Sequence, residues 1–285
     1  MSEGSAPIPN RRTTMMTVDA TMGLSAEDRA ALRDAVHALE HPGFAARLAN
    51  VIGQPLERVG RALPPVAAEA IATVTAKALQ GALSVALTTL RGPPRAGSRR
   101  LHAALAAASG AAGGAFGLVS LPIELPISTV IMLRSIAEIA RRAGEDLTTP
   151  EAALACIQVF ALGARTVDSE ATESAYFAVR GLLAKSVSEA TRYIAERGIL
   201  EEGAPVLVRL LTLVASRFGI VVTQKLAAQA IPVIGAVGGA AVNYAFIEHF
   251  QETAAGHFTV RRLERIHGKE TVREEYEQLR AQAAA

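Results

Sequence analysis

The chain of 285 residues is long enough to bury a large core without disulfides or metals. Half of its residues are hydrophobic, mostly Ala, Leu and Val, with 4 % aromatics and no Trp, a composition suited to closely packed helices. The single cysteine, Cys156, excludes an intramolecular disulfide, and a net charge of +2 without interleaved aromatic and basic residues argues against nucleic acid as a partner.

Residues 1 to 24 are polar and aperiodic, hold no apolar core of signal-peptide length, and read as a disordered tail on a cytosolic protein. Residues 25 to 285 then read as one helical domain. Ser25 and Asp28 stand in capping-box spacing ahead of a helix that runs to Glu40. Two further helices are expected over 44 to 63 and, after Pro64 and Pro65, over 65 to 91. "RGPPRAGSRR" breaks the pattern and carries Arg91, Arg95, Arg99 and Arg100 with no acid, which predicts an exposed basic loop.

A helix over 126 to 143 follows "LPIELP". Pro126 suits the first helical position, which would place Glu124 just ahead of the free N–H groups of a helix start. Thr149 and Pro150 predict the next start and Gly163 its stop. Asp168 or Ser169 can open a helix ending at Gly198, and Pro205 can open another. A last core helix over 237 to 255 and a charged amphipathic tail complete the chain. No alternating run supports a strand, so the prediction is all-α: one bundle of about eight to ten helices around two central Ala/Gly-rich ones.

Two stretches carry no formal charge: the 23 residues between Arg100 and Glu124, and the 22 between Lys225 and Glu248. Both reach the length of a membrane span. Each also carries glycines at close-packing spacing: Gly110, Gly113, Gly114 and Gly117 in the first, Gly235, Gly238 and Gly239 in the second. Packing within a soluble bundle, peripheral membrane contact and stable spanning all remain open. In the bundle case the two segments are expected to pack on each other, with Glu124 near the junction.

No phosphate-binding loop, dinucleotide fingerprint, zincin motif or nucleophile elbow occurs, and no cofactor is implied. "NYAFIEHFQETAAGHF" is the best carrier of site residues. At helical spacing Asn243, Phe246, Phe250 and His257 share an apolar stripe, and Glu248, His249 and Glu252 point away. His249 and Glu252 alone lack the second acid-x-x-His pair that a bundle metal site uses, so no metal is expected. Lys225 falls on the apolar arc of its own helix. If buried it needs a carboxylate, for which Glu124 and Glu138 are the candidates. Glu138 lies one turn from Arg134, on a side shared with Ser135, Arg141 and Arg142 that reads as polar. Glu124 is either a helix-start carboxylate or an internal anchor to Lys225 or Arg134.

"GAAGGAFGLVSLPIELPISTVIMLRSIAEIARRAGEDL", "YFAVRGLLA" and "ASRFGIVVTQKLAAQAIPVIGAVGGAAVNYAFIEHFQETAAGHFTVRRLERIHG" together resemble the bacterial EcsC family over about residues 25 to 280. The resemblance implies a helical protein linked to the membrane or to secretion, from a family named for a member encoded beside an ABC-type exporter; it supplies no catalytic residue. Three functions follow as expectations. The first is a non-enzymatic protein at the inner face of the membrane that binds lipid or a membrane protein through the arginines at 91 to 100, Arg141, Arg142, Arg261, Arg262 and Arg265. The second is an enzyme on a lipid-like substrate with Glu124, Lys225, Asn243 and His257 around one pocket. The third is a soluble scaffold. Oligomeric state is not legible.

Overall fold

A computed structural model describes residues 23–40, 43–52, 65–89, 121–164, 174–197, 204–229 and 235–284. Among the described residues there are nine helices and no strand: α1 (Ala26–Glu40), α2 (Phe44–Ile52), α3 (Pro65–Thr89), α4 (Leu121–Arg142), α5 (Pro150–Leu162), α6 (Ala175–Arg197), α7 (Pro205–Gln229), α8 (Gly235–His267) and α9 (Lys269–Ala284). The expected tail, the basic loop with Arg91, Arg95, Arg99 and Arg100, and Gly110, Gly113, Gly114 and Gly117 lie outside the described residues.

Local signals set several boundaries. Ser25 Oγ accepts the Asp28 amide at 3.1 Å and caps α1. Thr149 Oγ1 accepts the Ala152 amide at 3.3 Å, with Pro150 following it at the first position of α5. α4 ends in a Schellman motif: Gly144 adopts φ +82°, its amide reaches Arg141 O at 2.9 Å, and the Glu145 amide reaches Ala140 O at 3.0 Å. Gly163 ends α5 in a different way. Its φ of −69° suits any residue, but a Cβ there would lie 2.5 Å from the ring of Phe250, so the glycine is needed for room.

Three boundaries differ from expectation. α6 begins at Ala175, not at 168 or 169: Ser174 caps it, its Oγ accepting the Phe177 amide at 3.3 Å. α4 begins at Leu121, not at 126, so Pro126 lies inside it and Glu124 in its first turn. Pro122, in the first turn, forfeits no intrahelical bond; Pro126, the sixth residue, forfeits the one its N–H would make to the Pro122 carbonyl and crowds that carbonyl, a cost the surrounding packing must offset. α8 is one unbroken helix of 33 residues, about 50 Å at 1.5 Å per residue, where a break after 255 was expected. Gly256 does not interrupt it. A Cβ there would meet Leu39 Cγ at 2.8 Å and Ala35 O at 3.2 Å, so the residue lets α1 and α8 approach.

α8 is the axis of the molecule, with α1, α2, α4, α5, α7 and α9 packed around it. α5 is the second central element: every residue from Ala152 to Leu162 is buried, between α3, α4, α6, α7 and α8. The expected Ala/Gly-rich central pair is therefore described only in α8, whose Gly239 is buried. Although Phe is sparse, the rings of Phe160, Phe218, Phe246 and Phe250 meet with centroids 4.9–6.0 Å apart where α5, α7 and α8 cross, and Phe44 joins at 5.6 Å from Phe246. Large rings there fill the volume that short aliphatic side chains leave.

Candidate functional site

The polar residues singled out in the sequence fall into separate places. Lys225 on α7 is 3 % exposed and Glu124 on α4 is 7 % exposed, and the ammonium donates to Glu124 Oε1 at 2.6 Å. The ammonium also sits 4.8 Å from the centre of the Phe246 ring. Burial pushes the Lys225 ammonium below the usual lysine range, against the opposing pull of Glu124. Of the two carboxylates considered as partners, Glu124 is the one used. Glu138 pairs with Arg142 at 2.5 Å, Arg134 is exposed, and Ser135 is wholly buried, where it accepts from Gln251 Nε2 at 2.8 Å. The polar side expected for α4 is thus interrupted at Ser135, because α8 packs over it.

Asn243 and His257 are both wholly buried on α8, but 14 positions apart, about 21 Å along the helix. Lys225 lies near residue 246. Glu124, Lys225 and His257 therefore do not converge on one pocket. His249 does not point away from the core: it is 5 % exposed, packs tilted against Phe44 and edge-on to Phe250, and donates from Nε2 to Gly163 O at 2.7 Å. Burial holds its pKa down at about 4, which keeps the ring neutral. Glu252 pairs with Arg47. No group of three or more metal-ligating side chains occurs among the described residues.

His257 belongs to a buried network that spacing did not reveal. Tyr176 OH lies 2.9 Å from His257 Nδ1 and accepts from Arg180 at 3.1 Å. The phenol therefore donates its hydrogen bond to Nδ1, which places the proton of the neutral imidazole on Nε2; that nitrogen has no hydrogen-bond partner. Burial keeps the imidazole pKa well below the histidine norm and raises that of the Tyr176 phenol. Tyr276 stacks on Tyr176 and donates at 3.0 Å to Glu40, which also accepts from Ser174 Oγ at 2.6 Å.

On its outer side this network opens into a cleft of about 340 Å³ between the α4–α5 connection, α6, the end of α8 and the start of α9. Two bidentate pairs form its base. Arg180 donates to Glu264 at 2.7 and 3.0 Å, and Arg261 to Glu145 at 2.9 and 3.0 Å. Burial alone would raise the Glu145 carboxyl, but Arg261 and Arg265 outweigh it and hold it below the usual range. Arg261 also reaches Glu151 at 3.2 Å, and Arg265 reaches Glu145 and Ala143 O. Arg262 faces Asp28 at 3.4 Å. With Arg142 on Glu138, four of the arginines expected to meet anionic lipid are thus paired within the fold. Arg180, Glu264 and Glu145 escaped notice because their partners lie on other elements, and Lys269 because nothing local marks it; the Gly-Glu step after Arg142 is the one local sign, since a Schellman turn fixes where Glu145 goes.

A third feature is apolar. α3 and α7 pack side by side, and both are long and apolar enough to cross a membrane by length and composition: Ala68–Thr89 with mean hydropathy 1.4 and Pro205–Gln229 with 1.9. These are not the uncharged runs that sequence singled out. The first of those lies almost wholly outside the described residues, and the second is divided between the end of α7 and the start of α8.

The EcsC protein family model matches residues 27–263, which takes in α1 to α8 up to Leu263. The chain belongs to the EcsC family. No curated protein and no solved structure matches it. Within this EcsC chain the match includes the Glu124–Lys225 pair, the Tyr176–His257 network, and Arg180, Arg261 and Glu145 of the cleft; Glu264, Arg265 and Lys269 lie beyond it.

Proposed function

We propose that this EcsC-family protein acts by binding rather than by catalysis, associating with the inner face of the bacterial membrane, and that it meets lipid through the outer side of α3 and α7. One observation carries the reading: these adjacent helices have the hydropathy of membrane-contacting segments, yet only 44 % and 33 % of their apolar windows are buried in the fold. The cations of α7 fit it. Arg217 donates to Ala161 O and Ala164 O at 3.2 and 2.7 Å, and Lys225 is spent on Glu124, so two of its three positive charges turn inward. Val208, 49 % exposed, is left facing out, and Leu211 and Leu213, on either side of the exposed Thr212, pack on the core while only half-buried. Charges at Glu69, Lys77 and Arg209 suit a helix pair lying at the interface rather than one threaded through it.

Flotation of the purified protein with vesicles tests this. Since the described arginines of the expected basic contact are largely paired, binding through an apolar face should survive a rise from 0.1 to about 1 M salt, where the Debye length falls to about 3 Å. Val208→Asp with Thr212→Asp places two charges at exposed sites of α7; it should abolish flotation and leave the melting temperature unchanged. Flotation lost in salt would move the contact to the basic residues. Flotation unaffected by the double substitution would remove α7 from the interface, and no flotation with any vesicle would leave a protein partner or a soluble scaffold.

A further inference from the structure

We propose that the cleft between the α4–α5 connection, α6, α8 and α9 binds a small zwitterion, a phosphate or carboxylate carried on the same short chain as an ammonium group. The charge arithmetic of its walls carries the inference. Arg180–Glu264 and Arg261–Glu145 neutralise each other at the base, where the Glu264 and Glu145 side chains are 8 % and 5 % exposed. These pairs are rigid, and they have no charge left over for a simple ion. Arg265 and Glu151 lean on the same Arg261–Glu145 pair from above and add one charge of each sign.

What remains at the rim is one exposed cation and one exposed anion. Lys269 makes no ion pair among the described residues and opens α9, where the first backbone N–H groups and the helix dipole add to its attraction for an anionic group. Asp146 is exposed, and Thr148 occupies only its Oδ1, through the amide at 3.0 Å and the hydroxyl at 2.7 Å. Lining charges that sum to zero repel neither end of a dipolar ligand, whereas a lone phosphate meets Asp146 and Glu151, and a lone amine meets Lys269 and Arg265. About 340 Å³ lies at the small end of ligand sites, which excludes an acyl chain from the cleft itself. The site does not depend on the membrane reading, and soluble probes address it without a bilayer.

Isothermal titration with phosphoethanolamine and β-alanine as zwitterions, and with inorganic phosphate and ethanolamine as single-charge controls, tests it. At least one zwitterion should bind at least tenfold more tightly than either control. Lys269→Ala and Asp146→Asn should each weaken it tenfold or more; the asparagine keeps the oxygen that accepts from Thr148, so the turn is retained. Vesicles containing phosphatidylethanolamine separate two sources of the same chemistry. Retention of K269A on them equal to wild type places the ligand in solution, and loss of retention places it in a lipid headgroup. Phosphate alone binding as well as the zwitterions, binding indifferent to both variants, or no binding in solution together with K269A-independent vesicle retention would each overturn the proposal.

Discussion

Replacing Lys225 by Met should cost this protein about 3–5 kcal/mol, because it leaves Glu124 as an unpaired carboxylate that is only 7 % exposed. The methionine itself suits the site: it keeps the stem of the lysine and remains in contact with Phe246. The loss therefore comes from the stranded charge and not from a cavity. Replacing both residues, as Glu124→Leu with Lys225→Met, removes that charge, and buried ion pairs exchanged for apolar residues are often neutral or stabilising by about 1–4 kcal/mol. Against this gain stands the position of Glu124 in the first turn of α4, where a carboxylate is worth about 0.3–1 kcal/mol to the helix. The double variant should thus melt within a few degrees of wild type and well above K225M. At about 2–4 °C per kcal/mol for a domain of this order of size, K225M should melt on the order of 10 °C lower. Calorimetry of the four proteins of the cycle measures this. An unchanged melting temperature for K225M, or a double variant as unstable as the sum of the single ones, would show that the pair does not bear on stability as reasoned.

Gly256→Ala should destabilise: the gain in helix propensity is about 1 kcal/mol, but overpacking against Leu39 and Ala35 costs about 1–3 kcal/mol, whereas Gly181→Ala, with nothing within 4 Å of its added Cβ, should stabilise by up to about 1 kcal/mol. Urea midpoints of the two variants should move in opposite directions. The protein should also lose stability in mild acid. His249 titrates at about 4 when folded and 6.5 when unfolded, so its contribution is intact above pH 6.5 and is lost as pH falls toward 4, by about 3 kcal/mol from this residue. His249→Gln, which keeps a donor for Gly163 O, should flatten that part of the stability–pH curve, and a curve as steep as wild type would exclude His249 as its source.

Sequence revealed what is decided within a few residues. The Ser25 and Thr149–Pro150 starts depend on groups three positions apart, and the all-helical class follows from periodicity that no strand pattern competes with. The unbroken course of α8 was hidden because Gly256 costs a helix stability in isolation, and only α1, more than two hundred residues upstream, makes the glycine an asset. His249 was placed on the wrong side for a related reason: a helix surrounded by six others has no outward face over much of its length, so a single-stripe reading fails. The Glu124–Lys225 pair was legible as a possibility, since a lysine on an apolar arc demands a partner. The cleft was not. Arg261 and Glu145 are 116 residues apart, and nothing in "RRLER" distinguishes an arginine held inside the fold from one offered to a membrane.

The contacts of α1 bear on the order in which the protein can be made. Asp28 pairs with His267 across 239 positions, and Arg29 with Glu275 across 246. Leu32, Val36 and Leu39, all buried in the core, belong to a helix that packs on α8 and α9, so during synthesis they wait, without their partners, until nearly the whole domain has left the ribosome. Closing so long a loop is entropically slow. α1, translated before the other described helices, is then among the last of them to dock, and a nascent chain arrested before α8 presents an apolar α1 face that chaperones would recognise.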